Sequence, residues 1–484
     1  MTAPGPAGLP DPTALLADAP RVRDALASAG WSAAALDELL GSTARTHLDR
    51  DELAPVLRRT ADGSALSALA RLLVVGAAVD ERQARRSGLP ATWLVPAEGG
   101  LACPVRLQPV AFDGLDVAVP HDPGRAATGV HPEQVLGVGA ASLTLAAATP
   151  RANVHSALDL GTGCGIQALL ADDHADAVVA TDSNPRASAY AALAGALNDA
   201  APEVRTSDLL APVEGESFDL VVCNPPFVVG PGARYTYRDA GLDGDEVSRR
   251  LVAGLPEVLR PGGTAVLLAS WLHLEREDGD DRVASWVDTA RCDAWVVQRE
   301  LAAPEDYVTA WLRDTDEGDR FDRLYDEWLD WFAARRVAAV AFGIVALRRT
   351  DRPGSVVLED APQPLAPTWG QEVLGHFARR EALCGDLLAH SWRLREDVRL
   401  HQVARPTADG WYAEAQLLQQ EAGLRWSGGV DAHGATLLAG CDGTRPLGAL
   451  LAVLAASAGL SDGEVAGQVL PVVRRLVEQG FLVP

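Results

Sequence analysis

An α/β fold on a mostly parallel sheet is what the sequence predicts, from three observations. Between about residues 121 and 350, short apolar runs rich in Val, Ile and Leu alternate with stretches of helical periodicity. The run Val154–Leu160 ends in a glycine-rich turn, Gly161-Thr162-Gly163-Cys164-Gly165, that feeds a helical stretch. A second run, Leu220–Cys223, ends in Asn224-Pro225-Pro226-Phe227. Two prolines cannot continue a central strand, because each lacks the N–H that the ladder needs. Strand–helix alternation of this kind implies a sheet covered on both faces.

The elements follow in order. VHSALDL (154–160) reads as a strand and GIQALLADD (165–173) as a helix. DAVVATD (176–182) is a strand, and NPRASAYAALAGALNDA (184–200) is a helix opened by Asn-Pro. SFDLVVCNPPF (217–227) is a strand running into a rigid loop. RRLVAGLPEVLRPGG (249–263) reads as a helix with a glycine stop, and TAVLLAS (264–270) as a strand. DAWVVQRE (293–300) and VAAVAFGIVALRR (337–349) are two late strands. Between them lies an acidic, Trp-rich insert, Asp306–Arg336, expected to be a packed helix with a solvated face.

Outside this region the chain divides into an N-terminal helical domain (1–90), a short β-rich segment (91–120), a proline-bearing linker (351–367) and a small C-terminal α+β domain (368–484). The last of these carries a Cys441-Asp442-Gly443 turn, a helix opened by Pro446, the helix PVVRRLVEQG (471–480) and a closing strand FLVP (481–484).

Composition excludes several chemistries. The chain holds 484 residues with a formal net charge of −24, so general attraction to nucleic-acid phosphates is not expected. No lysine occurs anywhere, which removes a P-loop, a pyridoxal Schiff base and a lysine nucleophile. The six cysteines have neither zinc-ligand nor redox-pair spacing, and no HExxH pattern occurs, so no metal is expected. MTAPGPAGLPDP (1–12) lacks the features of a secretory leader. The longest apolar runs, Leu72–Val79 and Val337–Leu347, are too short to span a bilayer. No membrane partner and a cytoplasmic location with reduced thiols are therefore expected.

Three motifs carry chemistry. In Leu158-Asp159-Leu160-Gly161-Thr162-Gly163-Cys164-Gly165 the glycines let backbone approach a ligand where a side chain would collide. Asp182 ends the next strand about twenty residues on, where an acid holds the ribose hydroxyls of an adenosine cofactor. It also precedes Asn184-Pro185, so a capping role is open to it. Asp159 beside the turn suits a cationic ligand better than a pyrophosphate. After the run Leu220–Cys223, the Asn224 carbonyl and a free backbone carbonyl can accept both hydrogens of an –NH2 group, and Phe227 can stack on a planar amide or base.

Together these residues resemble the class I S-adenosylmethionine-dependent methyltransferases, in the HemK/PrmC-like superfamily with a small methyltransferase domain and an Asn-Pro-Pro-aromatic motif. That superfamily includes protein-glutamine, RNA-guanine and adenine-N6 methyltransferases. The resemblance covers about residues 130–350 and implies a Rossmann-like, seven-stranded methyltransferase sheet with S-adenosyl-L-methionine as cofactor. It implies that Gly161, Thr162, Gly163 and Gly165 line the methionine part of the cofactor, that Asp159 lies near its amino group, and that Asp182 holds its ribose. Asp208, in VRTSDLL, falls where the family contacts adenine. Asn224, with Pro225, Pro226 and Phe227, forms the catalytic loop and orients the target nitrogen, and Asn224 also counts among the cofactor-binding residues. Upstream, His131–Val135 and Ser142–Leu145 are similar to the segment that closes over the cofactor. Phe227 stands where many glutamine-methylating relatives carry Tyr. Residues 432–484 resemble a PqqD-type or winged-helix module.

The reading is N-methylation of a planar nitrogen, with a glutamine amide of a protein, such as a translation factor, favoured as substrate. A nucleic-acid N-methyltransferase working on a flipped base, a small-molecule N-methyltransferase and a non-catalytic scaffold are the alternatives.

Overall fold

In the computed structural model, the described residues are 9–48, 50, 52–124, 131–231, 243–315, 320–408 and 410–484. The leader reading of residues 1–12 falls mostly outside them. The chain forms two compact units, residues 1–146 with 153–356, and residues 147–152 with 357–484.

In the first unit, short strands β1 (Val95–Ala97) and β2 (Gly100–Ala102) pair antiparallel, as do β3 (Arg106–Phe112) and β4 (Leu115–His121). Asp113 and Gly114, at φ 50° and 85°, make the tight turn of the second hairpin. Positive φ at both central residues is what a two-residue hairpin requires.

The large sheet is built from β5 (Val154–Leu160), β6 (Ala175–Asp182), β7 (Glu203–Thr206), β8 (Phe218–Cys223), β9 (Leu259–Leu274), β10 (Cys292–Ala302) and β11 (Val337–Arg349). Their order across the sheet is β7-β6-β5-β8-β9-β11-β10. The first five run parallel, and β11 is antiparallel to both its neighbours. Eight strands form the sheet where the sequence predicts seven. The extra edge strand, β12 (Val356–Asp360), begins at the boundary residue of the first unit, inside the stretch read as a linker.

Register places the site. Leu160 pairs with both Thr181 and Cys223, so β5, β6 and β8 end level with one another. The glycine turn, Asp182 and Asn224 therefore leave the sheet at one carboxyl edge, where open α/β sheets bind ligands.

Two local readings are corrected. The stretch Leu259–Gly263 belongs to β9 and not to the preceding helix, which stops at Gly254 before a single 3₁₀ turn. A register shift between Phe218 and Leu220 absorbs the Pro-Gly-Gly segment into the ladder. The insert is two helices, Pro304–Thr315 and Phe321–Arg335, not one.

The N-terminal helices lie in the same compact unit as the large sheet. Leu15, Val22, Leu26 and Leu72 share one buried core with Leu107 and Val119 of β3 and β4 and with Ile166, Tyr190 and Leu193 beside the sheet. Apolar faces on short helices must be buried somewhere, and here the sheet's helical layer supplies the surface.

The second unit has its own core around Trp392, Leu447, Val473, Val477 and Phe481. It contains helices Gly370–Ala382, Ala432–Gly440, Leu447–Ala458 and Asp462–Glu478, a long β-hairpin (Val398–Thr407 with Gly410–Gln420) and the small pair Arg393–Leu394 with Leu482–Val483. Its last helix starts nine residues before Pro471, at Asp462, because Ser461 and Glu464 form a reciprocal capping box there. Among the described residues, no helix is long and apolar enough to cross a membrane.

Candidate active site

The carboxyl edge of the sheet opens into a cavity of about 780 Å³ lined by the glycine turn, Asp182, Asp208 and Asn224–Val228. That volume lies within the range of small-molecule and cofactor sites. None of its described lining residues is Lys, Arg or His.

The turn is held by main chain. The amides of Gly161 and Thr162 both donate to the Thr181 carbonyl at 2.9 Å. Gly161, Gly163 and Gly165 have φ of 77°, 55° and 87°, a region that costs other residues strain. Gly165 has a second reason: a Cβ there would lie 3.0 Å from Ala191 Cα on the helix Pro185–Asn198.

Asp182 faces the turn from the end of β6. Its carboxylate accepts the Gly163 N–H and the Asn184 N–H, each at 2.9 Å. Each oxygen keeps a lone pair for a further donor. Burial pushes its pKa up, and the two backbone N–H bonds oppose that shift. Asp208 lies on the cavity wall after β7, next to Leu209, whose φ is 45°.

Asn224 follows β8 directly. Its Nδ2 donates to Ser142 Oγ at 3.4 Å. That contact turns the side-chain carbonyl the other way. Ser142 is itself anchored, since its backbone carbonyl accepts from Gln167 Nε2 at 2.7 Å. Phe227 packs against Phe342 at a centroid distance of 5.1 Å and meets Trp311 edge-on at 6.3 Å.

Asp159 is the exception. It is 1% exposed and lies under the turn, where its carboxylate accepts from Thr162 Oγ1 at 2.7 Å and from the Ala168 N–H at 3.0 Å. It is not among the cavity-lining residues. Thr162 lines the cavity, but its hydroxyl is spent on Asp159. The structure therefore gives Asp159 the job of pinning the turn to the following helix. Burial raises its pKa to about 7.

Stability should report this. An acid whose pKa is higher folded than unfolded costs the folded state increasingly as pH rises from the unfolded value, near 4, to the folded one. Above pH 7 the penalty is at most about 4 kcal/mol. Asp159→Asn should therefore gain thermal stability over the wild type progressively from pH 5 to pH 7, with no further gain above. Melting curves across that range check it, and a constant difference would contradict it.

The cavity fits a nucleoside cofactor with a positive charge. Its described wall offers two carboxylates and no basic side chain, and the buried Thr181 hydroxyl on that wall has no hydrogen-bond partner among the described residues. A Cβ at Gly163 would meet nothing within 4 Å, so the turn leaves room on that side. Cys164 and Cys223 also border the cavity, but burial pushes the Cys164 thiol to about 12 and Cys223 well up too, which rules them out as thiolate nucleophiles. Among the described residues, no group of His, Cys, Asp or Glu could hold a metal ion.

Sequence reasoning missed three participants. Trp311, in the insert read as packing, lines the cavity. Ser142 holds Asn224, where the sequence offered only a loose segment match. Asp122 is buried and accepts from Arg186, Tyr190 Oη and the Val135 N–H, tying the strap around Val135 to the helix Pro185–Asn198. The capped Asn184-Pro185 helix start pointed to that helix, but nothing local pointed to Asp122.

Residues 125–275 match the methyltransferase small domain. Residues 28–102 and 375–484 match two domains of unknown function (DUF7059 and DUF7782). The release factor glutamine methyltransferase of Xylella fastidiosa is 38% identical over 128 residues, covering 23% of this chain and 46% of that one. The ribosomal protein uL3 glutamine methyltransferase of Bradyrhizobium diazoefficiens is 30% identical over 173 residues, covering 31% and 52%. The chain thus spans about half the length of these relatives. Among solved structures, a 16S rRNA N2 G1207 methyltransferase from T. thermophilus, in complex with AdoMet and guanosine, aligns at 20% identity and TM-score 0.27, covering 44% of this chain and 61% of that one.

Proposed function

We propose that this chain, whose residues 125–275 match the methyltransferase small domain, uses S-adenosylmethionine to methylate the side-chain amide of a protein glutamine. The observation that carries the reading is the placement of Asn224 and Phe227 in one cavity with the glycine turn and Asp182. The relatives named for glutamine methylation of a release factor and a ribosomal protein support the acceptor and favour a protein of the translation apparatus as partner.

When bound, the cofactor supplies an electrophilic sulfonium methyl. The chain's residues do the rest by positioning. Asp182 would hold the ribose hydroxyls with the lone pairs left after its two backbone contacts. Asp208 borders the base, and the glycine turn admits the methionine part. The lone pair of an amide nitrogen is delocalised and therefore poorly nucleophilic. Two acceptors on its hydrogens, the Asn224 side-chain carbonyl and the Pro225 backbone carbonyl, favour pyramidalisation and stabilise the developing positive charge. Phe227 stacks on the amide plane. No strong base is required before transfer.

Ser142 fixes which face of the Asn224 amide looks at the acceptor. Ser142→Ala should lower kcat about fivefold to tenfold, the size of one net hydrogen bond, with S-adenosylhomocysteine affinity unchanged. Steady-state kinetics beside calorimetry check this, and an unchanged kcat would contradict it.

The reading itself is tested by labelling a cell extract with methyl-labelled S-adenosylmethionine. Label should be released by protease and survive nuclease, and it should fall only mildly from low to moderate salt, since the chain's charge of −24 gives no phosphate attraction to lose. Label released by nuclease would favour a nucleobase acceptor.

A further inference from the structure

We infer that Trp311, from the helical insert, is a specificity residue that closes the acceptor end of the cavity and restricts it to an uncharged planar group, an inference that rests on the glutamine reading above. The insert touches the catalytic loop at three successive points. Trp311 meets the Phe227 ring edge-on, with centroids 6.3 Å apart and planes at 71°. One turn earlier on the same helix, Tyr307 is buried and its Oη accepts the Val229 N–H at 2.8 Å. From the second helix, Trp328 fills the space beside Gly230, where a Cβ would come within 2.9 Å of the indole. The helix pair is thereby set in register with the loop that begins at Asn224, and Trp311 is the residue of the pair that reaches the cavity wall.

The consequence for specificity follows from what the wall lacks. Two aromatic rings inclined at 71° form a corner for a flat group, and the polar edge of such a group would meet Asn224. The described wall carries Asp182 and Asp208 but no basic side chain. A carboxylate entering the corner would lose its hydration with no basic side chain among the described lining residues to replace it. A carboxamide of the same shape loses much less. The corner thus discriminates glutamine from glutamate by rejection as well as by attraction.

The test uses two probes of equal size, N-acetylglutamine N-methylamide and its glutamate counterpart, titrated by NMR against full-length protein saturated with S-adenosylhomocysteine. Wild type should bind the glutamine probe at least tenfold more tightly than the glutamate probe at neutral pH. Trp311→Ala should weaken the glutamine probe about fivefold to tenfold, with S-adenosylhomocysteine affinity unchanged, and Trp311→Phe should restore most of it. Binding of neither probe by wild type, equal binding of both, or an unaffected Trp311→Ala variant overturns the inference. A variant that loses S-adenosylhomocysteine binding as well, and is not rescued by Phe, shows a structural role and also overturns it. If probe binding follows Trp311 while extract labelling falls on nucleic acid, the glutamine reading fails alone.

Discussion

Asn224→Ala is expected to cut the methyl-transfer rate by about 10²–10³-fold, the loss seen when one preorganised polar contact to a developing charge is removed. Affinity for S-adenosylhomocysteine should stay within about threefold. The separation follows from the structure: the Asn224 amide is turned by Ser142, whereas Asp182 is held by the glycine turn and by Asn184. The two contacts share no side chain, so their losses should not couple strongly. Turnover and calorimetry on one preparation decide it. Near-normal turnover would remove Asn224 from the chemistry, and a parallel loss of cofactor affinity would make it a structural residue.

Asp182→Ala should do the reverse, weakening S-adenosylhomocysteine by about 1–3 kcal/mol through lost charge-assisted hydrogen bonds. Part of that loss passes through the turn, because Asp182 also accepts the Gly163 N–H at 2.9 Å. Asp182→Asn separates the two roles. It keeps an acceptor oxygen but loses the charge, so its affinity should fall between wild type and the alanine variant. Calorimetric binding of all three checks the order. An alanine variant that binds as tightly as wild type would show that Asp182 only holds the Gly163 and Asn184 N–H groups, the helix itself being capped by Asn184.

The parts of the fold legible in the sequence were those with local cause. β5, β6 and β8 announce themselves as apolar runs closed by Gly, Asp and Asn-Pro-Pro, and their level ends bring the three motifs to one edge. What escaped was set by distant packing. Leu259–Gly263 has a helix-stop signature, Pro-Gly-Gly, yet pairs with β8 because β9 continues the parallel ladder. The N-terminal helices carry apolar faces, which reveal a partner's existence but not its identity. Asp159 stands beside the glycine turn in sequence, and only the three-dimensional path shows its carboxylate turned under it, toward Thr162 and Ala168. Trp311 lies 84 residues beyond Phe227, in a stretch whose composition favoured plain packing. No periodicity can report a contact of that range.

The most direct test of the central claim is peptide mapping of the protein that takes up label from the cell extract. The account predicts a methyl group on a glutamine side-chain amide, absent when that glutamine is replaced by glutamate and absent with the Asn224→Ala enzyme. A methyl group on a nucleobase, on an arginine or on a main-chain amine would contradict it.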